Sequence, residues 1–226
     1  MKSAAPVSSL RLLARRRLRA RSLHRHSAAT IALHWATVFA VLVAAGSGLA
    51  REWVEDEALR ILLLRVHEQA GLFVLVALAL RLLNRFVFGL ANHAGKMPLL
   101  MRWAAQLAHA GMYLLLAVLP VLGWAVCSAK AMDLSLFGLV RLPALVQDDP
   151  DLADLLIDRH VFAAWTLLTM VVLHVAAALW HHRVRRDGVL MAMLPWLRRR
   201  ERLQPEPEPE PEGPQTRLGA DSLDYP

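Results

Sequence analysis

Hydrophobic and polar positions along the chain separate into long apolar blocks with charged segments between them. Three blocks contain no Asp, Glu, Lys or Arg: residues 26–50, 103–129 and 160–182, of 25, 27 and 23 residues. A helix needs about 20 mainly apolar residues to cross the hydrocarbon core of a bilayer. Each of these blocks is therefore predicted to be a membrane-spanning helix.

A fourth apolar block, residues 64–88, is interrupted by charge. Arg65, Glu68, Arg81 and Arg85 leave it a charge-free centre of 12 residues. Arginine near the end of a span can extend its guanidinium to the lipid headgroups, so this block is also interpreted as a span. The predicted fold class is an all-α membrane protein, a bundle of four transmembrane helices. Its spans are predicted at about 27–50, 64–88, 103–127 and 159–182.

The distribution of basic residues predicts the orientation of this bundle. Residues 1–25 hold eight Lys or Arg and no acid, and residues 183–202 hold seven. Residues 130–159 hold only three, against six Asp. Cytoplasmic segments of membrane proteins carry the excess of Lys and Arg. Both termini are therefore predicted to be cytoplasmic, as an even number of spans requires.

The sequence divides into three parts around the spans. Residues 1–26 form a basic extension and residues 196–226 a Pro/Glu-rich tail, both predicted to be disordered, while residues 27–195 form the membrane domain. The basic extension also fits a mitochondrial presequence or a signal peptide, but the apolar run after it is too long for a signal peptide, which favours a plain cytoplasmic anchor. Residues 134–156 are amphipathic and predict a short interfacial helix or cap on the outer side.

Composition excludes several classes of function. The chain of 226 residues is 56% hydrophobic with a mean hydropathy of +0.37, above ordinary soluble domains. Its net charge of +7 flanks the apolar blocks and forms no basic face with interleaved aromatics, so no nucleic-acid partner is predicted. The single cysteine, Cys127, excludes an internal disulfide framework, a cysteine-based zinc site and covalent haem attachment.

Histidines inside the spans are the candidate chemistry, since an ionisable residue in a bilayer is costly and marks a functional site by default. His160 and His174 are 14 residues apart, which places them on one helix face about 21 Å apart along the axis. By depth, His160 pairs with His67 at the outer level, and His174 with His34 at the inner level. Two bis-histidine layers are what two b-type haems need as axial ligands.

Other polar residues lie near these levels. His109 is at the inner level and is predicted to bond a haem propionate or a quinone in preference to ligating iron. Arg81, 14 residues beyond His67, is either a partner for a haem propionate or a snorkelling anchor. Together with Arg85, these two residues form the candidate quinone site. The remaining histidines are interpreted as solvated or headgroup-facing: His24, His26, His93, His181 and His182.

Several segments resemble the bacterial cytochrome b561 family, the four-helix di-haem b proteins of the inner membrane. They are IALHW, VHEQAG, RLLNR, LAHAGMYLLLAVLPVLGW, SLFGLVRLP, RHVFAAW and LHVAAALWHH, in this order over residues 27–195. The resemblance implies that His34 and His174 hold the inner haem iron, and that His67 and His160 hold the outer one. The long basic N-terminus and the Pro-Glu tail depart from the family pattern.

The resemblance also implies a function. It is transmembrane electron transfer between a membrane quinone such as ubiquinone and a donor or acceptor at the membrane face, an oxidoreductase role for which no catalytic side chain is predicted. The expected location is the bacterial inner membrane, ahead of the mitochondrial one, with the lipid bilayer as partner and a homodimer left open. Two alternatives remain: a haem b anchor subunit of a hydrogenase or dehydrogenase, and a haem-free membrane protein.

Overall fold

The computed structural model describes residues 28–88, 99–185 and 189–194, and the described part is almost entirely helical. The helices are α1 (Ala28–Arg51), α2 (Glu57–Phe88), α3 (Leu99–Ala129), α4 (Pro150–Trp180), which continues as a π-helix (His181–Arg185), and α5 (Val189–Met193). A small hairpin, β1 (Ser135–Leu136) and β2 (Val140–Arg141), connects α3 to α4.

Four of these helices are long and apolar enough to cross a membrane, with mean hydropathies of 1.9 to 2.0. The prediction of a four-helix membrane protein is thus confirmed. The exterior agrees with it, because large apolar side chains such as Phe39, Leu42 and Phe86 are exposed along the helices. In a soluble protein, so extensive an exposed apolar surface would be covered by another molecule, whereas in a bilayer lipid covers it.

Helices α2 and α4 begin before the predicted spans, because capping side chains start them early. Asp56 accepts a hydrogen bond from the Leu59 backbone N–H at 2.7 Å, so α2 begins at Glu57. Asp149 accepts one from the Leu152 N–H at 3.0 Å, and Pro150 occupies the first turn of α4. Both arrangements satisfy N–H groups that a helix start leaves unpaired. Charged first turns therefore lead into the apolar parts of both helices.

The four helices pack as two pairs. Packing is most extensive between α1 and α2 and between α3 and α4, and it is less extensive at the seam between α2 and α3. Polar side chains inside the helices are satisfied locally. Thr37 donates to the Leu33 carbonyl at 2.7 Å, and Ser47 donates to the Val43 carbonyl at 2.7 Å. Such bonds let polar residues sit in an apolar span at little cost.

The segment before α4 forms a cap and not the interfacial helix that the sequence also allowed. Phe137 and Gly138 have φ angles of 50° and 71°, and the Leu139 N–H bonds the Leu136 carbonyl at 2.9 Å. Two successive residues with positive φ make a tight hairpin turn, which ends any helix. The rest of the predicted helix is the first turns of α4.

The chain divides into two compact units, 1–193 and 194–226, and only Leu194 of the second is described. The predicted basic extension, 1–26, and the predicted tail, 196–226, lie outside the described residues. The cytoplasmic location of both termini stays a prediction.

Candidate functional site

The outer level brings His67 of α2 against His160 of α4. Their ring centroids are 5.8 Å apart, with 68° between the ring planes. Two imidazoles on opposite sides of one metal ion, with metal–nitrogen bonds of about 2 Å, have centroids roughly 6 Å apart. These residues come from different helix pairs, so a metal held between them would bridge the two pairs.

The ring of His67 is fixed by the backbone of α1. Its Nδ1 lies 2.8 Å from the Ala44 carbonyl oxygen. A carbonyl can only accept, so Nδ1 carries the proton and Nε2 keeps its lone pair. Histidine ligands usually donate their other ring N–H to a carbonyl or carboxylate in this way. At Gly48, a Cβ atom would lie only 3.0 Å from His67 Nδ1, so α1 approaches the ring closely because it has glycine there.

His160 has a corresponding glycine on α3. A Cβ at Gly123 would lie 3.4 Å from His160 Cε1. The Nδ1 atom of His160 is buried and lacks a hydrogen-bond partner within the described residues, although the Leu119 backbone lies close to the ring. A buried polar atom left unpaired costs about 1–3 kcal/mol. With the proton on Nδ1, the nearby Leu119 backbone is the available acceptor and Nε2 is left for a metal.

The inner level is arranged differently from the outer one. The ring of His174 on α4 lies against that of His109 on α3, with centroids 5.3 Å apart and 85° between planes. His109 Nδ1 is 2.5 Å from the Ala105 carbonyl oxygen, so it donates and leaves Nε2 as an acceptor. His34 Nδ1 is 3.3 Å from Arg81 Nη2. The pairing of His34 with His174 stays a prediction.

Arg81 connects α2 with both neighbouring helices. It bonds His34 of α1, and its guanidinium carbon lies 5.4 Å from the ring centroid of Tyr113 on α3. Sequence reasoning missed Tyr113, although it lies four residues after His109 and therefore on the same helix face. Arg85, the third member of the candidate quinone site, is exposed, as is His109. The inner level thus combines two exposed polar side chains with a partly buried arginine.

A buried carboxylate next to the outer histidine was also missed. Glu68 is 8% exposed and pairs with Arg65, whose Nη1 lies 3.0 Å from Glu68 Oε2. Cys127 Sγ lies 3.8 Å from the other carboxylate oxygen. Sequence reasoning treated Glu68 only as a charge at the end of a span. The i, i+3 spacing of Arg65 and Glu68 was the signal that could have indicated the pair.

Within the described ranges, no three His, Cys, Asp or Glu side chains form a metal-ligand cluster. What the bundle offers is imidazoles in pairs. Zinc sites in proteins have at least three protein ligands, so pairs alone do not suit zinc. Iron in a porphyrin takes four nitrogens from the ring and needs only the two axial ligands from protein.

Comparison with known proteins agrees with this chemistry. A family model described as prokaryotic cytochrome b561 matches residues 25–196. The chain is 28% identical over 174 residues to cytochrome b561 homolog 1 of Escherichia coli (strain K12), which covers 76% of this chain and 98% of the relative. It is 29% identical to cytochrome b561 homolog 2 of the same organism, over 57% of this chain and 69% of the relative.

A third relative is named for an activity. The chain is 28% identical over 171 residues to the probable superoxide oxidase CybB of Yersinia pestis, over 76% of this chain and 96% of the relative. The family model covers all four long helices. The chain therefore belongs to the prokaryotic cytochrome b561 family, whose members carry b-type haem and transfer electrons in the membrane.

Proposed function

We propose that this protein transfers electrons across the bacterial inner membrane through two b-type haems, between a membrane quinone and a donor or acceptor at the membrane face. The observation that carries the proposal is the pair of His67 and His160, whose rings lie 5.8 Å apart between the two helix pairs. Because the hydrocarbon core is about 30 Å thick, electrons that cross it need a second cofactor deeper in the bundle. We propose that it is held by His34 and by His174, which lies on the same face of α4 as His160 and about 21 Å deeper.

The residues at the outer level fit a haem. His67 is in the tautomer that leaves Nε2 free for iron, since Nδ1 donates to Ala44. The ring of His160 lies against that of His67, and its Nδ1 lies near the Leu119 backbone, which leaves Nε2 for iron as well. A haem bound there supplies reversible one-electron chemistry. The protein sets its potential through the axial imidazoles, their hydrogen bonds and the apolar helices that exclude water.

At the inner level, Arg81 is proposed to hold a haem propionate. An arginine can only donate, so its contact with His34 Nδ1 places the histidine proton on Nε2. If His34 held the haem iron through Nε2, its proton would lie on Nδ1 and Arg81 would lose this acceptor. A propionate is an anionic acceptor that a guanidinium binds strongly. Haem binding and a change of partner at Arg81 are therefore coupled.

The quinone is proposed to bind beside His109, where Arg81 and Arg85 also lie. His109 is exposed toward the lipid phase, through which a quinone diffuses, and its Nε2 can accept a hydrogen bond from a quinol hydroxyl. Oxidation of one quinol releases two electrons and two protons. Haems bound at the two levels would take the electrons one at a time, while His109 would receive one proton at Nε2 and the other would be released to water at the membrane face.

The same path can run in the opposite direction. Two superoxide ions, oxidised to two oxygen molecules, supply the two electrons that reduce one quinone, which also takes up two protons. The Yersinia pestis relative is named a probable superoxide oxidase, and superoxide is therefore the first donor to test at the outer face.

The test uses purified protein in proteoliposomes containing ubiquinone. Addition of a soluble ubiquinol, or of a superoxide-generating system, should reduce both haems, measured by absorbance. His109→Gln should slow the quinol reaction with the haem content unchanged, and His182→Gln serves as control because His182 is an exposed histidine at the end of α4. Haems that dithionite reduces, but neither quinol nor superoxide reduces, would contradict quinone exchange.

A further inference from the structure

The outer cap, residues 130–149, is anchored to α2 by one side chain. Gln69 Nε2 donates to the Ser135 carbonyl at 2.9 Å, and Gln69 Oε1 accepts the Phe137 backbone N–H at 2.7 Å. Both ends of the amide are therefore used, and they hold the first strand of the hairpin and the start of its turn. Gln69 follows His67 by two residues on the same helix.

The other end of the outer cap is anchored to the second helix pair. Trp124 Nε1 of α3 donates to the Pro143 carbonyl at 2.9 Å, and Ser128 Oγ accepts the Leu145 N–H at 3.1 Å. The Asp149 N–H bonds the Ala129 carbonyl at 3.1 Å, immediately before α4. The outer cap is thus fixed to α3 along its second half.

Apolar packing places the cap at the seam between the pairs. Leu134 is buried in one cluster with Leu72 of α2 and Cys127 of α3, and Leu136 and Leu142 pack against that cluster. The inward-facing leucines of the cap therefore contact both sides of the seam. Hydrogen bonds and buried surface together make the cap a strut between the two helix pairs.

The turn itself depends on this anchor. Phe137 has a φ of 50°, a conformation that is strained for a bulky residue. The Phe137 N–H donates to Gln69 Oε1, and this hydrogen bond stabilises the strained conformation. Without that acceptor, the turn loses the interaction that favours it over relaxed alternatives.

The cap can affect the spacing of the outer histidines because these residues belong to different helix pairs. His67 lies on α2, which packs mainly against α1, and His160 lies on α4, which packs mainly against α3, while the α2–α3 seam is less extensively packed than either pair. We propose that Gln69 is a positioning residue that, through the outer cap, sets the spacing of His67 and His160. This inference rests on the proposed outer haem. It leaves the inner level unaffected, because His174 lies about 21 Å deeper along α4.

The test removes the hydrogen bonds of Gln69 and measures the distance between the two helix pairs. Gln69→Met keeps the length of the side chain and loses both hydrogen bonds, while Gln69→Asn keeps the amide but shortens its reach. Gln147→Met makes the same chemical change at an exposed position of the same cap and is the control. Nitroxide labels on Leu62→Cys and Asp154→Cys, both exposed near the outer ends of α2 and α4, report the distance between the pairs. The chain without added cysteines gives the background from buried Cys127.

The expected result is a broader distance distribution in both Gln69 variants and an unchanged one in Gln147→Met. In the haem-loaded protein, the low-spin ferric signal and the midpoint potential of one haem should shift in the Gln69 variants, with two haems still bound. Unchanged distances, or equal shifts at both haems, would overturn the positioning role. If the parent protein binds no outer haem, the proposed function fails, and the distance measurement still decides whether Gln69 is a strut.

Discussion

His67 and His160 lie ring to ring between the two helix pairs, with centroids 5.8 Å apart and planes inclined by 68°. Each ring is approached by a glycine of a neighbouring helix, Gly48 for His67 and Gly123 for His160. This arrangement is built by four helices, since α2 and α4 carry the imidazoles while α1 and α3 carry the glycines. The outer haem is proposed to bind at this pair of histidines.

Gly48→Ala should weaken the outer haem site. The added methyl carbon would lie 3.0 Å from His67 Nδ1, so the ring or α1 must move by a few tenths of an ångström. We expect a loss of haem or a shifted potential at one of two haems, measured by haem content and redox titration. Gly46→Ala, where nothing lies within 4 Å of the new methyl, is the matched control. Equal behaviour of the two variants would contradict the close approach at Gly48.

Arg81→Gln should lower the midpoint potential of the inner haem. A positive charge beside a haem favours the reduced, less positive state, and the glutamine removes it. A loss of about 1.4 kcal/mol would lower a one-electron potential by about 59 mV. Redox titration of the purified protein measures the shift. Arg183→Gln, at an exposed arginine after α4, should leave both potentials unchanged. A parent-like titration curve for Arg81→Gln would assign Arg81 to anchoring alone.

Single substitutions distinguish the two arrangements of the inner level. His34→Ala should reduce haem content from two per chain to one, because His34 is the proposed partner of His174. His109→Gln should retain both haems, because His109 is assigned to the quinone. The structure places His109 next to His174, with centroids 5.3 Å apart, so the opposite result is a specific alternative. Loss of a haem in His109→Gln and its retention in His34→Ala would exchange their roles.

The orientation of the chain can be read from fusion proteins. Because basic residues flank spans one and four on the predicted cytoplasmic side, alkaline phosphatase fused after residue 202 should be inactive. The same enzyme inserted in the outer cap at Gln147 should be active. Activity at the C-terminus and none at the cap would show the opposite topology, in which the cap and the pair of His67 and His160 lie on the cytoplasmic side.

Three spans could be predicted from sequence because an apolar run of about 20 residues without charge is typical of a membrane-spanning helix, and the fourth because its charges lie near its ends. The extra outer turns of α2 and α4 could not, since they depend on the capping carboxylates Asp56 and Asp149. The positions of His67 and His160 within their predicted spans were sufficient to place them at the same depth. Depth does not give the rotation of a helix about its axis, so the sequence placed His34 and His109 at the level of His174 without showing which of them faces it, and the contact of Arg81 with Tyr113 was not foreseen.

The outer cap was the least predictable part. Its turn requires a positive φ at Phe137, which favours glycine and is rare for an aromatic residue. Only the folded structure shows that Gln69, 68 residues earlier in the chain, supplies the acceptor for the Phe137 N–H. Contacts of such sequence separation have no local pattern that a single sequence can display.

The most direct test of the paired outer histidines as haem ligands is the number of haems b per polypeptide in detergent-purified protein, measured as the pyridine haemochrome. We predict two in the parent, one in His67→Ala, one in His160→Ala, and two in the control His182→Ala. Two haems in both outer variants, or none in a folded parent produced with haem available, would contradict this assignment.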